Sequence, residues 1–170
     1  FMLRPADGTG VPLLAMGEVG INPAAPTIQR LNRQAMLRVE AGVEDVAVLA
    51  AALLHDTGED TDTTAEELAR EVGAEIAGIV AEMTDDPALT KPEKKQKQVE
   101  NAPRLSPKAK LVKLADKICN LRDVAGNPPA HWPLERRQAY FEWARAVIEG
   151  LRPAHPALER FFGEAYRLKP

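Results

Sequence analysis

From residue 28 onward, apolar positions recur at helical spacing, and no segment shows strand alternation. Ile28, Leu31, Ala35 and Val39 share one side of a predicted helix over 28–41, with Gly42 as its stop. Val43 to Asp56 reads as a second helix that is apolar almost all round, so it is expected to be central and buried. Thr63-Thr64-Ala65-Glu66 has the Thr-x-x-Glu form of a capping box and opens a helix running through Leu68 and Val72 to Gly73. Ile76, Ile79, Val80 and Met83 mark the next helix, 74–83, which Asp85-Asp86-Pro87 breaks.

A very polar helix is predicted over 91–101, carrying Lys91, Lys94, Lys95 and Lys97. Ser106-Pro107 places an N-cap before proline at the first helical position and starts a helix that Gly126-Asn127-Pro128-Pro129 ends. Amphipathic helices over 133–151 and 156–168 complete the chain. Residues 1–27 differ: Pro5, Pro12, Pro23 and Pro26 alternate with Gly8, Gly10, Gly17 and Gly20, which forbids a long regular helix. This stretch is expected to be an irregular arm with a short helical turn around Leu13–Met16, ahead of a domain over 28–170.

The length, 170 residues, suits one domain with a real core. Aromatics are only 5%, so the core must be built mainly from Ala, Leu, Val and Ile, and the abundance of Ala and Leu tilts the class toward all-α. A net charge of -3 argues against a general nucleic-acid or anionic-membrane binder. The longest apolar run, Val46 to Leu54, falls well short of the ~20 residues of a membrane span. The single Cys119 is expected to be a small buried apolar residue and fits a reducing compartment. With no basic-then-apolar leader at the start, the expected location is the cytoplasm.

Candidate chemistry gathers at two places. His55-Asp56 closes the most apolar helix, and imidazole plus carboxylate suits a borderline divalent ion, although such a pair can equally close a helix as a hydrogen-bonded cap. Glu59 and Asp60 follow at once. They form either a solvated acidic turn or carboxylates able to orient or deprotonate a water beside a metal. Later in the chain, Asp116, Asn120 and Asp123 fall at i, i+4 and i+7 on a helix whose other members, Leu111, Leu114, Ala115, Ile118 and Cys119, are apolar. A carboxylate on an inner helix needs a partner. A metal or charged ligand would supply one, as would a surface pairing with Lys113, Lys117 or Arg122.

Together the segments Ala51–Thr57, Glu59-Asp60-Thr61, Thr84-Asp85-Asp86, Ser106-Pro107, Ala109–Lys117, Asn120–Asp123 and Tyr140–Ala144 resemble the hydrolase domain of the RelA/SpoT-homologue alarmone enzymes, within the HD superfamily. The likeness covers about Glu40 to Leu151 and is greatest to the small stand-alone hydrolases, including the metazoan SpoT homologue. It implies a single-domain helical bundle and a divalent cofactor, usually Mn2+. It further implies hydrolysis of a phosphate or pyrophosphate from a nucleotide 3′ or 2′ position, with guanosine 3′,5′-bis(diphosphate) (ppGpp) or NADPH as substrate class. On this resemblance His55, Asp56 and Asp116 hold the metal, Glu59 and Asp60 serve the attacking water, Asn120 and Tyr140 contact the nucleotide, and Lys91 meets its phosphates. Ordinary packing for Tyr140 and a solvated side chain for Lys91 stand as the alternatives. Trp132 and Trp143 are expected to be packing anchors, and His131 and His155 surface or loop residues. Neither the resemblance nor the sequence speaks to oligomeric state.

Two departures stand out. The family carries a further metal-ligating histidine in a Tyr-x-x-His-Pro stretch, yet none of the three histidines here precedes His55, and the ungapped equivalent is Gln29. A diverged arm, completion by another residue or a partner chain, and a shifted reading frame over residues 1–39 are three accounts of this. The arm's lack of amphipathic pattern favours the last, and the first leaves an impaired nucleotide-binding module as the rival function. Secondly, Gly58 replaces a bulky apolar residue, which predicts a looser turn beneath Glu59.

Overall fold

The computed structural model describes the backbone pairs Met2–Leu3 and Val11–Pro12, residues 42–43, and residues 45–170. The predicted helix at 28–41, the turn at Leu13–Met16 and Gln29 lie outside the described residues. The two pairs form a minimal antiparallel ladder, β1 (Met2–Leu3) and β2 (Val11–Pro12), with Met2 opposite Pro12. A two-residue strand is too short to leave a period-2 signature. Everything else regular among the described residues is helical, as expected, and falls into two units, Phe1–Pro87 and Ala88–Pro170.

In the first unit α1 (Val46–Leu54) is started by Asp45, whose Oδ1 accepts from the N–H groups of Ala47 (2.9 Å) and Val48 (3.2 Å). Val48, Ala51, Ala52 and Leu54 are buried, but Val46 is 70% exposed and Leu53 40%, so the burial expected all round holds for one face only. A short helix, α2 (Thr57–Asp60), follows, then α3 (Ala65–Val72) and α4 (Ala74–Met83). The capping box of α3 is Thr64 with Glu67, one residue later than expected: Glu67 N–H donates to Thr64 Oγ1 and Thr64 N–H to Glu67 Oε2, both at 3.1 Å. Both frames satisfy Thr-x-x-Glu, and Thr63 is diverted because its hydroxyl lies 2.9 Å from that of Thr61. Gly73 alone joins α3 to α4 at φ +90°, a conformation open to glycine and strained for other residues. Helix α4 packs against α1, α2 and α3 and buries Ala77, Ile79, Val80 and Met83, so it is the spine of this unit.

In the second unit α5 (Lys91–Asn101) begins with Thr90, whose N–H (2.8 Å) and hydroxyl (2.6 Å) donate to Glu93 Oε2. Those bonds, the hydroxyl's first, lower the Glu93 pKa. A 3-10 turn, Ala102–Arg104, leads to α6 (Pro107–Gly126), capped by Ser106 Oγ accepting from Ala109 N–H at 3.2 Å. Then come α7 (Leu134–Leu151) and α8 (Pro156–Tyr166); His155 is the N-cap of α8. Helix α6 packs against both α7 and α8. The fully buried core is Val112, Leu114, Leu121, Phe141, Val147, Ile148 and Leu151, aliphatic apart from one ring.

Phe141 is the largest fully buried side chain of that core, so Phe141→Ala should lower unfolding free energy by about 3–5 kcal/mol. Urea unfolding measures it, and a loss under about 1 kcal/mol would contradict the packing described.

Candidate functional site

Helix α1 stops at Leu54, and His55-Asp56 makes the turn into α2. The last carbonyls of a helix have no partner within it. His55 uses one of them: its Nδ1 lies 2.8 Å from Ala52 O. A carbonyl only accepts, so Nδ1 carries hydrogen there, and the Nε2 lone pair of the neutral ring faces Asp56 Oδ1 at 3.1 Å. His55 is buried, whereas the Asp56 side chain is 44% exposed. Two atoms bearing lone pairs at that spacing repel unless a positive charge lies between them, either a proton on Nε2 or a metal ion.

A divalent ion fits this pair. Imidazole nitrogen with carboxylate oxygen is a donor set for borderline metals. A backbone carbonyl on the second ring nitrogen is the support that metal-ligating histidines use to fix tautomer and orientation. Within either unit taken alone, no three His, Cys, Asp or Glu side chains gather as a metal centre among the described residues.

Glu59 and Asp60 lie on α2 and are exposed. The turn is tied to the end of α4, because Glu59 Oε1 accepts from Asp85 N–H at 2.9 Å. Gly58 makes the close approach possible: a Cβ there would fall 2.8 Å from Thr84 Oγ1 and 3.1 Å from its Cγ2. Thr84 is itself held by its hydroxyl donating to Val80 O at 3.0 Å. The looser turn expected from Gly58 is therefore not found; the threonine takes the space a side chain at 58 would need. Beside this contact lies a cavity of about 420 Å³, lined by Thr57, Thr84, Leu68, Val80 and Asp85 among others.

Asp116 lies in the second unit, on α6, and is buried. Asn120 Nδ2 donates to its Oδ1 at 2.8 Å, so the i, i+4 stripe is real, while Asp123 is exposed. Lys117 Nζ lies 3.0 Å from the other oxygen, Oδ2. The pairing with a lysine considered from sequence does occur, but with both side chains under 10% exposed rather than at the surface. Tyr140 on α7 is half-buried between Trp132 (5.5 Å between ring centroids) and Trp143 (5.1 Å). Lys95 Nζ sits over the rings of Trp143 (4.9 Å) and Tyr140 (5.4 Å), and burial first, then Arg136 and Lys117, lowers its pKa. Lys91 is exposed in the first turn of α5.

The structure thus joins His55 to Asp56 and sets Glu59 beside Asp85 in one unit, and joins Asp116 to Asn120 and Lys117 in the other. Thr84, Lys95 and Trp143 were not legible as site neighbours. Lys117 was one of three candidate partners for Asp116, and because neighbouring residues on a helix point apart, spacing alone did not single it out.

Gly58→Ala should destabilise the protein by about 1–3 kcal/mol through overpacking against Thr84, and adding Thr84→Ala should recover most of the loss. Equal urea midpoints for Gly58→Ala and the parent would contradict the close approach.

Comparison with known proteins identifies the family. The HD domain family profile matches residues 25–141. The mouse guanosine-3′,5′-bis(diphosphate) 3′-pyrophosphohydrolase MESH1 is 53% identical over 124 residues, 73% of this chain and 69% of the mouse protein. Its Drosophila melanogaster namesake is 47% identical over 137 residues, 81% and 76% of the two chains. A solved structure of a metazoan ortholog of SpoT that hydrolyzes ppGpp has a TM-score of 0.73 at 48% identity and covers 76% of this chain and 72% of its own. The Listeria monocytogenes protein lmo0812 follows at a TM-score of 0.61 and 27% identity, over 75% of this chain and 84% of its own. The chain belongs to the HD domain family of metal-dependent phosphohydrolases.

Proposed function

We propose that this enzyme hydrolyses ppGpp at the 3′ position, water adding and the 3′ ester bond breaking to give GDP and pyrophosphate. The observation that carries the reading is the His55–Asp56 pair: a buried imidazole oriented by Ala52 O, with its second nitrogen aimed at a carboxylate. The names of the mouse and Drosophila relatives agree in substrate.

In this reading His55, Asp56 and Asp116 hold the divalent metal, with Mn2+ as the proposed ion. Bound there, the metal would acidify a water and offset charge on the leaving phosphate. Glu59, with Asp60, would orient the attacking water and take its proton; the Asp85 N–H on Glu59 Oε1 fixes the carboxylate and leaves its other oxygen available to do so. Asn120 and Tyr140 contact the nucleotide. Lys91, at the N-terminal end of α5, adds to the positive potential of the helix terminus and meets the phosphates. The substrate is a small soluble nucleotide and the proposed setting the cytoplasm. No described helix is long and apolar enough to cross a membrane, and Cys119, the single cysteine of the chain, is buried. Residues 28–170 are proposed as the working domain.

The purified protein should release pyrophosphate from ppGpp with Mn2+, lose that activity on chelation, and regain it on adding Mn2+ back. Asp56→Ala should abolish turnover. Phosphate release from NADPH under the same conditions would make the 2′-phosphate the substrate group instead. Nucleotide binding without turnover in the parent would favour the impaired module that Gln29 suggests. No product, with Asp56→Ala indistinguishable from the parent in metal and nucleotide binding, would contradict the reading altogether.

A further inference from the structure

The second unit holds an arrangement that helix geometry alone does not provide. Asp116 and Lys117 are consecutive on α6, and consecutive helical side chains diverge by roughly 100°. Lys117 nevertheless folds back to place Nζ 3.0 Å from Asp116 Oδ2, with the lysine side chain 5% exposed and the carboxylate 8%. A buried ammonium needs supports that replace water. One such support is Trp143 on α7, whose ring centre lies 4.4 Å from Lys117 Nζ. Trp143 is fixed in turn, its indole N–H donating to the Lys95 carbonyl of α5 at 3.0 Å. Three helices are thereby linked in series: α5 holds the indole, the indole covers the ammonium, and the ammonium holds one carboxylate oxygen. Asn120 holds the other, Oδ1, at 2.8 Å. With a donor on each oxygen, the plane of the carboxylate is set.

We infer that Trp143 and Lys117 are positioning residues that orient the Asp116 carboxylate for metal binding, Trp143 acting through Lys117. The inference rests on the proposed ligand role of Asp116. Supports of this kind around metal ligands are typically worth about 10–100-fold in affinity.

The test is titration of the metal-free protein with Mn2+ alone, followed by calorimetry, on parent, Trp143→Leu, Trp143→Phe, Lys117→Met, the Trp143→Leu/Lys117→Met double variant and Asp116→Ala. Thermal unfolding in chelator establishes that each is folded, and Trp143→Met replaces the leucine variant should that one unfold. Trp143→Leu should weaken Mn2+ binding by about 10-fold or more, and Trp143→Phe, which keeps an aromatic face, by less than about threefold. In the Lys117→Met background Trp143→Leu should change nothing further, a result that a merely structural tryptophan would not produce. Parent-like affinity in Trp143→Leu, or an undiminished Trp143→Leu effect in the Lys117→Met background, would overturn the inference. Asp116→Ala separates the two levels. If it leaves Mn2+ affinity intact, the ligand assignment itself fails. If it removes binding while Trp143→Leu does not weaken it, only the positioning role fails.

Discussion

The imidazole of His55 is committed on both sides. One nitrogen must give its hydrogen to the Ala52 carbonyl, because the end of α1 leaves that oxygen without a helical partner, and the other nitrogen meets the carboxylate of Asp56 at 3.1 Å. The imidazole is buried while the carboxylate is half-exposed, so the contact is only partly screened by water. A positive charge between them, a proton or a metal ion, relieves the repulsion, and the surrounding elements hold the pair in place. Asp45 caps the start of α1, the helix ends at Leu54, and α2 begins within three residues, carrying Glu59 and Asp60 past the same turn. Gly58 lets that turn seat on Thr84, and the Asp85 N–H anchors Glu59.

The second unit answers the same problem differently. There a carboxylate is placed on a buried helix face and satisfied by an amide and an ammonium, and the ammonium lies over an indole. The cluster of Lys95, Arg136, Tyr140, Trp132 and Trp143 around it interleaves positive charge with aromatic faces, which allows several cations to sit close together in a partly dry environment. Asp116 therefore reaches its position through packing between helices rather than through α6 alone.

Much of this was legible from local signals. Proline at the first helical position after Ser106, glycine at 73 and the lysine-rich run at 91–101 marked their helices because capping and turn chemistry act within a few residues. The capping frame of α3 was read one residue early, since two threonines precede two glutamates and only the hydroxyl at Thr61 decides between them. The exposed face of α1 was not legible, because an all-apolar helix looks the same whether or not both faces are covered. For the site, the chemical types at 55, 56, 59 and 116 were readable, and so was the Asp116–Asn120 register, which is a helical spacing. The Thr84 contact with Gly58 and the Trp143–Lys117 contact join residues 26 positions apart in each case. No periodicity encodes such contacts; they come from packing between elements.

The central claim is that the His55 ring nitrogen facing Asp56 binds the cofactor ion. Electron spin-echo envelope modulation of the Mn2+-loaded protein reads nitrogen bonded to manganese directly. With three histidines in the chain, His131 exposed and His155 used as a helix cap, the spectrum should be attributable by substitution. The account predicts modulation from an imidazole nitrogen that His55→Gln removes and His131→Gln and His155→Gln leave unchanged. A Mn2+-loaded protein with no imidazole modulation, or one whose modulation survives His55→Gln, would contradict it.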